Sequence, residues 1–488
     1  MASTTQFLFS LPPKPPYLLS YSSPSKPRSI NITCCLSIQQ ARNDQTTSSG
    51  SNALNGLRVA FAAGGTGGHI YPAVAIADEL TIVNPTSELL FLGRPNSMES
   101  TAIPSAHFEF KSIPAVKLVR PLFSLRNLLL PYFLIKSITK CFTLLSKFEP
   151  HLVVGTGGYV SFPVCLAALL KGIKVVIQEQ NSVPGIANRF LSLFADLVFV
   201  AFNSTVQSFP RKEKCVVCGN PVRLSLKNSV SKALSRLHFF PWLEKMEGSS
   251  EEIKVILVLG GSLGANAVNI ALLNVYSQLL LEHENWFIIW QTGVESFNEM
   301  ESLVRSHPRL LLAPFLHSMN MAYAAADLVV SRAGAMTCSE ILATGKPSIL
   351  VPLLVPSPHQ KQFPVYKFLQ QLISCNNLFT RLFHKLRLNI LKLNSLLFNS
   401  LGDATKVPSP NVAEGHQHKN AFLMADVAGS RVITEDELDS TTLGSAISEI
   451  LGDERLLAEM SQRALNAAKP DASAEIAKHI LSLVKENS

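Results

Sequence analysis

Residues 57–72 read LRVAFAAGGTGGHIYP, and this stretch decides the fold. The run from Leu57 to Ala63 is apolar and has the length of a buried strand, while Pro72 to Leu80 carries apolar residues at helical spacing. A glycine-rich turn between strand and helix exposes backbone N–H groups at a helix N-terminus, where an anion or a polar oxygen is favoured. The turn has neither the dinucleotide pattern G-x-G-x-x-G nor the Gly-Lys-Ser/Thr of a P-loop. A tight turn needs only one glycine, so four indicate that a ligand approaches this backbone.

The same arrangement recurs along the chain. LVVGTGGYVSFP (152–163) and VILVLGGSLGANAVNIALL (255–273) each place glycines between an apolar strand and a helix-like run. VVIQEQNSVPG (175–185) and VVCGNPVR (216–223) are further strand ends. Such alternation is typical of doubly wound parallel sheets, which bind ligands beyond the carboxyl ends of their strands. Because it runs from 57 to about 220 and restarts at 254, we expect an α/β protein with two Rossmann-like domains facing each other across a cleft.

Composition narrows the classes of function. The 488 residues are 47% apolar and 16% charged, which suits a globular protein of two or three domains. The net charge of +8 is concentrated in residues 1–52, which carry +3, and in residues 361–406, which carry +6. The rest of the chain is therefore close to neutral, and we expect no nucleic-acid partner.

The N-terminal segment has the composition of an organelle-targeting sequence. Met1 to Asn43 contains no acidic residue and is rich in serine, threonine and proline. We expect residues 1–52 to be a disordered transit peptide for the chloroplast, because arginine is sparse for a mitochondrial one. The alternative is a disordered tail without an address.

A membrane-spanning helix is not expected. The best candidate, Leu118 to Ile138, is interrupted by two prolines and three basic residues. Its mixture of apolar and basic residues indicates either a surface that lies on a bilayer, peripheral to the inner envelope or thylakoid membrane, or an ordinary solvated helix. The Cys215 and Cys218 pair is weak evidence for a metal site, and buried free thiols are expected instead.

A polar cluster, SRAGAMTCSE (331–340), follows a strand in the second half. Thr337 and Ser339 would cap the next helix. Glu340, in the first turn, would either accept hydrogen bonds from both ribose hydroxyls of a nucleotide or merely complement the helix dipole.

Taken in order, GGTGGH, GTGGYVS, EQN, GNPVR, GGSLGA and RAGAMTCSE resemble the motifs of the MurG family. Members of that family are N-acetylglucosaminyltransferases of peptidoglycan synthesis with the GT-B fold. The resemblance covers about 57–352 and resumes at about 408–485. It implies an inverting hexosyltransferase that takes N-acetylglucosamine from UDP-N-acetylglucosamine to a lipid-linked N-acetylmuramyl-pentapeptide, converting lipid I to lipid II without a cofactor or an essential metal.

The resemblance also implies roles for individual residues. His69 is the expected catalytic base, because an unperturbed imidazole, with a pKa near ~6.5, accepts a proton at neutral pH. Ser262 and Arg223 would meet the donor diphosphate, and Leu316 would contact uracil. The remaining expected contacts with the donor or the acceptor are Thr66, Gly67, Gly68, Asn181, Ala335, Met336, Thr337, Cys338, Ser339, Glu340 and Gln417.

Two features depart from the family. The family usually reads H-E-Q-N where this chain reads Q-E-Q-N, so Gln178 is given no role. In addition, residues 353–406 interrupt the sequence beside the donor site, and VPSP occurs on both sides, at 355–358 and 407–410. Two His-Gln pairs therefore compete, at 359–360 and 416–417; Asn420-Ala421 and a helix-like continuation favour the second. The insertion is interpreted as a gene-model artefact or a disordered segment, with a basic amphipathic helix as the alternative.

The expected organisation is a transit peptide (1–52), an acceptor- and membrane-facing domain (53–222), a linker (223–253) and a UDP-sugar-binding domain (254–488). The leading hypothesis is the glycosyltransferase. The alternatives are an enzyme resembling UDP-N-acetylglucosamine 2-epimerase and a non-catalytic homologue disabled by the insertion. The oligomeric state and the acceptor peptide are left open.

Overall fold

The computed structural model describes residues 56–115, 129–227, 230–246, 252–261, 264–353 and 412–485. Within them lie two parallel sheets that belong to one compact unit. The expected pair of doubly wound α/β domains is thereby confirmed. The expected transit peptide, and all of the expected insertion apart from Leu353, lie outside the described residues.

The first sheet has seven strands in the order β3-β2-β1-β4-β5-β6-β7. Its strands are β1 (Arg58–Ala62), β2 (Glu88–Gly93), β3 (Glu109–Ser112), β4 (Leu152–Gly155), β5 (Lys174–Glu179), β6 (Leu197–Val200) and β7 (Cys215–Val217). Its helices are α1 (Gly67–Val83), α2 (Met98–Ser105), α3 (Leu130–Phe148), α4 (Gly158–Lys171), α5 (Ile186–Leu191) and α6 (Asn203–Val206).

The second sheet has six strands in the order β10-β9-β8-β11-β12-β13. Its strands are β8 (Lys254–Leu259), β9 (Trp286–Gln291), β10 (Leu310–Ala313), β11 (Leu328–Ser331), β12 (Ser348–Leu350) and β13 (Arg431–Val432). The helices of this half are α7 (Lys232–Phe239), α8 (Asn266–Leu273), α9 (Tyr276–Glu282), α10 (Phe297–Leu303), α11 (Met319–Ala325), α12 (Ala335–Thr344), α13 (Val412–Ala428), α14 (Ser440–Gly452) and α15 (Glu454–Ala467), and the chain ends in α16 (Ala472–Lys485).

Both sheets change direction of winding at the strands that carry glycine loops. In the first sheet β1 and β4 are neighbours, with Ala62 opposite Gly155. In the second, β8 and β11 are neighbours, with Leu259 opposite Ser331. Loops that leave two such neighbours diverge to opposite faces of the sheet and open a crevice, which is where ligands bind in folds of this kind.

The first helix begins earlier than the sequence indicates. It starts at Gly67, five residues before Pro72, so that His69 lies in its first turn. Pro72 lies inside this helix, in its second turn, where it cannot donate a backbone hydrogen bond to the preceding turn. The consequence of the earlier start is that the histidine is held by helical backbone instead of a loop.

The last helix crosses back to the first sheet. Ile476, Ala477, Ile480 and Val484 of α16 are buried in a core with residues of β1 and α1. The expected UDP-sugar domain, 254–488, therefore includes a helix that packs with the first half. Each buried isoleucine contributes about 1.5–3 kcal/mol relative to an exposed one, so α16 is firmly attached there.

The chain passes between the two halves twice, and both connections form a hydrogen bond with the buried carboxylate of Glu79. Glu79 on α1 accepts a hydrogen bond from Nζ of Lys227 at 2.6 Å, on the outgoing connection, and from Oγ of Ser473 at 3.0 Å, on the return. The side chain of Glu79 is almost fully buried. Glu79 therefore fixes both connections to the same helix.

Candidate functional site

A cavity of about 1400 Å³ lies between the carboxyl ends of the two sheets. Its walls come from both halves, because the glycine loops after β1, β4 and β8 and the first turn of α12 all open onto it. Eleven of the expected residues line it: Thr66, Gly67, Gly68, His69, Asn181, Arg223, Ala335, Met336, Thr337, Glu340 and Gln417.

Four expected residues are placed differently. Leu316 and Cys338 are buried in the core of the second half and do not line the cavity. The backbone N–H of Leu316 donates to the side chain of Gln291 at 3.0 Å, while the neighbouring Phe315 lines the cavity. Ser339 lies behind the cavity wall and hydrogen-bonds Asn220. Ser262 lies outside the described residues.

The loop after β4 presses against His69 and requires glycine there. Gly157 and Gly158 have φ values of +98° and +77°, a region that other residues rarely adopt. A Cβ at Gly157 would lie 3.0 Å from Nδ1 of His69, and one at Gly158 would lie 2.3 Å from the carbonyl oxygen of Gly64. The second glycine motif therefore serves to bring bare backbone against the histidine of the first.

The proton on the His69 ring is assigned by its neighbours. Nδ1 lies 2.9 Å from the carbonyl oxygen of Thr156 and 3.1 Å from Oε1 of Gln180. A carbonyl oxygen can only accept, so Nδ1 carries the hydrogen of the neutral ring. The lone pair is then on Nε2, which leaves that nitrogen to accept a proton. Thr156 also donates from Oγ1 to the backbone oxygen of His69 at 2.7 Å and so holds the turn itself.

Asn181 is held by a buried carboxylate. Oε1 of Glu179 accepts from the backbone and side-chain nitrogens of Asn181, both at 3.0 Å. Its other oxygen accepts from the N–H of Gly185 at 3.0 Å and from the side chain of Asn188 at 2.9 Å. These four hydrogen bonds to the Glu179 carboxylate fix the loop after β5. They also fix Asn181, which lines the cavity.

On the opposite wall, Glu340 is a buried carboxyl with two neighbours. Its Oε2 accepts from the hydroxyl of Tyr323 at 3.1 Å, and its Oε1 lies 3.7 Å from Nε of Arg223. Burial raises the pKa of Glu340, while the Arg223 charge and the Tyr323 hydrogen bond oppose that rise. Burial and the adjacent carboxyl raise the pKa of Tyr323 well above its usual value, so the tyrosine is a hydrogen-bond donor.

Arg223 lies between the two halves. Its guanidinium carbon is 3.8 Å from the centroid of the Tyr71 ring, which belongs to α1. Its Nε is buried and has no hydrogen-bond partner among the residues that the structure describes. Its charge is balanced by the nearby carboxyl of Glu340, and because Arg223 also lines the cavity, its guanidinium can attract an anionic ligand there.

The segment that follows the expected insertion returns to the site. Gln417 on α13 lines the cavity, and its Oε1 accepts from the N–H of Leu353 at 3.4 Å. Asn420 accepts from the N–H of Ser182 at 3.2 Å and donates to the carbonyl of Ala333 at 3.2 Å, so it spans both halves. These contacts favour the second His-Gln pair; the first lies outside the described residues.

Several residues of the site were not predicted from the sequence, and Gln178 was named there but given no role. Gln180 meets His69, Tyr71 meets Arg223, and Asn220 and Gln178 join them to the second half. The motifs EQN and GNPVR indicated this region of the chain, but they did not indicate which of its side chains contact one another. Glu99 was missed as well, and its buried carboxylate accepts from the N–H of Gly65 at 3.3 Å.

Two sequence profiles match this chain. The glycosyltransferase family 28 N-terminal domain matches residues 59–200. The glycosyltransferase family 28 C-terminal domain matches residues 255–396 and 404–476.

Similar full-length proteins bear one name, UDP-N-acetylglucosamine--N-acetylmuramyl-(pentapeptide) pyrophosphoryl-undecaprenol N-acetylglucosamine transferase. The protein of that name from Salinibacter ruber is 34% identical over 86% of this chain and 95% of its own length. One from Bacillus cereus is 31% identical over 88% of this chain and 100% of its own.

Solved structures have the same architecture. Acinetobacter baumannii MurG is 25% identical, with a TM-score of 0.57 over 87% of this chain and 99% of that one. The UDP-GlcNAc 2-epimerase from Neisseria meningitidis, bound to UDP-GlcNAc, is 14% identical, with a TM-score of 0.52 over 88% of this chain and 100% of that one. At that identity the epimerase shows a shared fold only.

Proposed function

Because this chain belongs to glycosyltransferase family 28 and has the GT-B architecture, we propose that it transfers N-acetylglucosamine from UDP-N-acetylglucosamine to a polyprenyl-diphosphate-linked N-acetylmuramyl-pentapeptide. The observation that supports this most directly is the arrangement across the cavity. A proton-accepting nitrogen on His69 belongs to one half, and the Glu340 and Arg223 pair, with the first turn of α12, lies against the other.

The reaction is a single displacement at the anomeric carbon. The acceptor hydroxyl attacks that carbon, the new glycosidic bond forms, and the bond between the anomeric carbon and the diphosphate oxygen breaks. Nε2 of His69 takes the hydroxyl proton, and the departing UDP keeps the bonding electron pair. One base and one stabilised leaving group suffice for such an inverting transfer.

Charge on the departing diphosphate is offset by a helix of the second half and by Arg223. The N-terminus of α8 presents Ala265, Asn266 and Ala267 to the cavity, and a helix N-terminus favours negative charge. The guanidinium of Arg223, which lines the cavity, supplies a positive charge. These groups are in place before the reaction, so little reorganisation is needed as charge develops.

A transfer assay tests this function against its two alternatives. The full chain is incubated with labelled UDP-N-acetylglucosamine, with and without a lipid-linked N-acetylmuramyl-pentapeptide. We expect label in the lipid and release of UDP only when the acceptor is present. Release of a free epimerised sugar without acceptor would indicate the epimerase, and UDP-sugar binding without turnover would indicate the disabled homologue.

For access to its acceptor, we propose that α3 lies on a membrane. Leu130 and Leu134 line the cavity, whereas Tyr132 and Ile135 of the same helix are exposed beside Lys136. Apolar side chains flanked by lysines suit the surface of an anionic bilayer. None of the helices that the structure describes is long and apolar enough to cross a membrane.

Vesicle sedimentation tests the membrane face. We expect the full chain to bind vesicles that contain anionic lipid and to lose most of that binding in a Tyr132→Ser/Ile135→Ser variant. Leu281→Ser is the matched control, because Leu281 is exposed on the other half of the protein. Equal binding by the double variant would remove α3 from the membrane contact.

We further propose that residues 1–52 direct the protein to the plastid, on the basis of their acid-free composition. A fluorescent reporter fused behind these residues should accumulate in chloroplasts. A reporter that stays in the cytosol would contradict the proposal.

A further inference from the structure

Three buried amide side chains connect His69 to the second half, and we refer to Gln180, Gln178 and Asn220 as the amide chain. Oε1 of Gln180 meets Nδ1 of His69. Nε2 of Gln180 donates to Oε1 of Gln178, and Nε2 of Gln178 donates to Oδ1 of Asn220 at 3.0 Å. Asn220 donates onward to Oγ of Ser339 at 2.9 Å.

Backbone carbonyls fix the direction of the amide chain at both ends. Nε2 of Gln180 donates to the carbonyl of Thr156 at 2.7 Å, and Nδ2 of Asn220 donates to the carbonyl of Gln180 at 3.0 Å. Both partners can only accept, so neither amide can be turned around. The hydrogen bonds therefore decide which atom of each amide is oxygen and which is nitrogen.

Gln178 occupies the middle position and must offer a donor on one side and an acceptor on the other. A reversed Gln178 would place oxygen against oxygen at Asn220 and nitrogen against nitrogen at Gln180. All three amides are almost completely buried, with exposures of 0%, 1% and 4% for Gln178, Gln180 and Asn220. Without water to replace a lost partner, each mismatch would leave buried polar groups unsatisfied, which is destabilising.

At its far end, the amide chain contacts α12, the helix whose first turn lines the donor side of the cavity. Ser339 donates from Oγ to the carbonyl of Ala335 at 2.9 Å, within the first turn of α12. Ala335 lines the cavity. The orientation of the His69 ring is thus linked, through neutral groups alone, to the position of α12.

We propose that Gln180 and Gln178 are positioning residues that keep the proton of neutral His69 on Nδ1 and aim its Nε2 for proton transfer. The proposal rests on the proposed transferase function for its kinetic consequence, but not for the state of the ring. The amide chain orients the base without placing a second charge beside it.

Nitrogen-15 NMR of histidine-labelled protein tests the ring directly, without donor or acceptor. The signals of His69, identified by their absence from His69→Asn, should show a protonated Nδ1 and a bare Nε2 in the wild type. Gln180→Met keeps the side-chain length but removes one of the two acceptors at Nδ1, leaving only the Thr156 carbonyl, so a fraction protonated on Nε2 should appear. A variant ring that stays wholly protonated on Nδ1 would contradict the role proposed for Gln180. A wild-type ring protonated on Nε2 would overturn the proposal.

Kinetics supply the second readout. Gln180→Met and Gln178→Glu should each lower kcat on the order of tenfold, a partial loss of the general-base contribution. Gln178→Glu does so because it sets a carboxylate oxygen against Oδ1 of Asn220. The KM for UDP-N-acetylglucosamine should stay within about twofold. Asn84→Ala is the control for loss of a buried amide, since Asn84 lies at the far end of α1. Wild-type kcat in both folded variants would refute the positioning role. A wild type that forms no glycosylated lipid would instead refute the proposed function, while the NMR result still stands.

Discussion

Nε of Arg223 lies 3.7 Å from Oε1 of Glu340, too far for a hydrogen bond but close enough for a strong electrostatic interaction in a buried place. The carboxyl expected to hold the donor ribose therefore has a cation beside it, and this cation also contacts the first half through Tyr71.

Glu340→Ala should weaken binding of UDP-N-acetylglucosamine by about 1–3 kcal/mol, because charged hydrogen bonds to the ribose are lost. Calorimetric titration measures this. Tyr323→Phe is the matched control, since it removes the same Tyr323–Glu340 hydrogen bond but keeps the carboxylate. Equal losses in the two variants would attribute the effect to local packing instead of ribose contact.

His69→Ala should lower kcat by roughly 10²–10⁴-fold, the usual contribution of a general base. Donor affinity should change little, because the nucleotide is expected to lie mainly against the second half. His69→Asn should be as slow, since an amide keeps a polar atom but accepts no proton. If His69→Asn instead kept most of the turnover and raised only the acceptor KM, the histidine would be a binding residue.

Removing residues 354–406 should yield a more soluble and more active protein. Leu353 is retained in this variant because its N–H donates to Gln417. Closing a longer flexible loop costs only on the order of 1–2 kcal/mol, so the apolar content of the segment is the larger hazard. Replacing it by a glycine–serine linker of equal length separates these effects. Equal activity and solubility of the full chain and the deletion would contradict the prediction.

Lys346→Met should stabilise the protein at pH 7 but not at high pH. Burial lowers the pKa of Lys346 to about 8, although Asp327 opposes that effect. Between pH 8 and the ordinary value of 10.5, the unfolded chain binds more protons than the folded one, so the stability of the wild type rises with pH. One pKa unit corresponds to about 1.4 kcal/mol, so the variant's advantage should reach a few kcal/mol below pH 8 and shrink up to pH 10.5.

Denaturant titrations at several pH values measure that difference. Lys232→Met is a suitable control, because Lys232 is half-exposed and pairs with the same Asp327 at 2.7 Å. We expect no gain in stability for it. A pH-independent difference for Lys346→Met would show that the buried lysine is not the cause.

The features visible in the sequence were those set by local geometry. Glycine clusters after apolar runs predicted both crevices, because positive φ and close backbone approach leave few other choices at Gly157 and Gly158. Glu340 was found because a helix follows the strand that ends at Ser331, but it lies in the second turn of α12 and not in the first. The expected caps were wrong, since α12 begins after Gly334 and neither Thr337 nor Ser339 caps it.

Contacts between distant segments could not be predicted in this way. Gln178 and Asn220 are 42 positions apart and form a hydrogen bond only because β5 and β7 end on the same side of the first sheet. Leu316 has the apolar character of a ligand contact, yet its side chain is buried in the core. Side-chain direction at such positions depends on packing, which one sequence does not contain.

The return of α16 to the first sheet has a consequence for biosynthesis. Residues 58–217, which form the first sheet, are synthesised long before α16. The apolar face of β1 and α1 therefore lacks its contacts with Ile476 and Ile480 until α16 has been made. Until α16 has been synthesised, part of that face is uncovered, and exposed apolar surface on a growing chain promotes aggregation. A stop codon or a proteolytic cut shortly before residue 472 would therefore damage the half of the protein that was synthesised first.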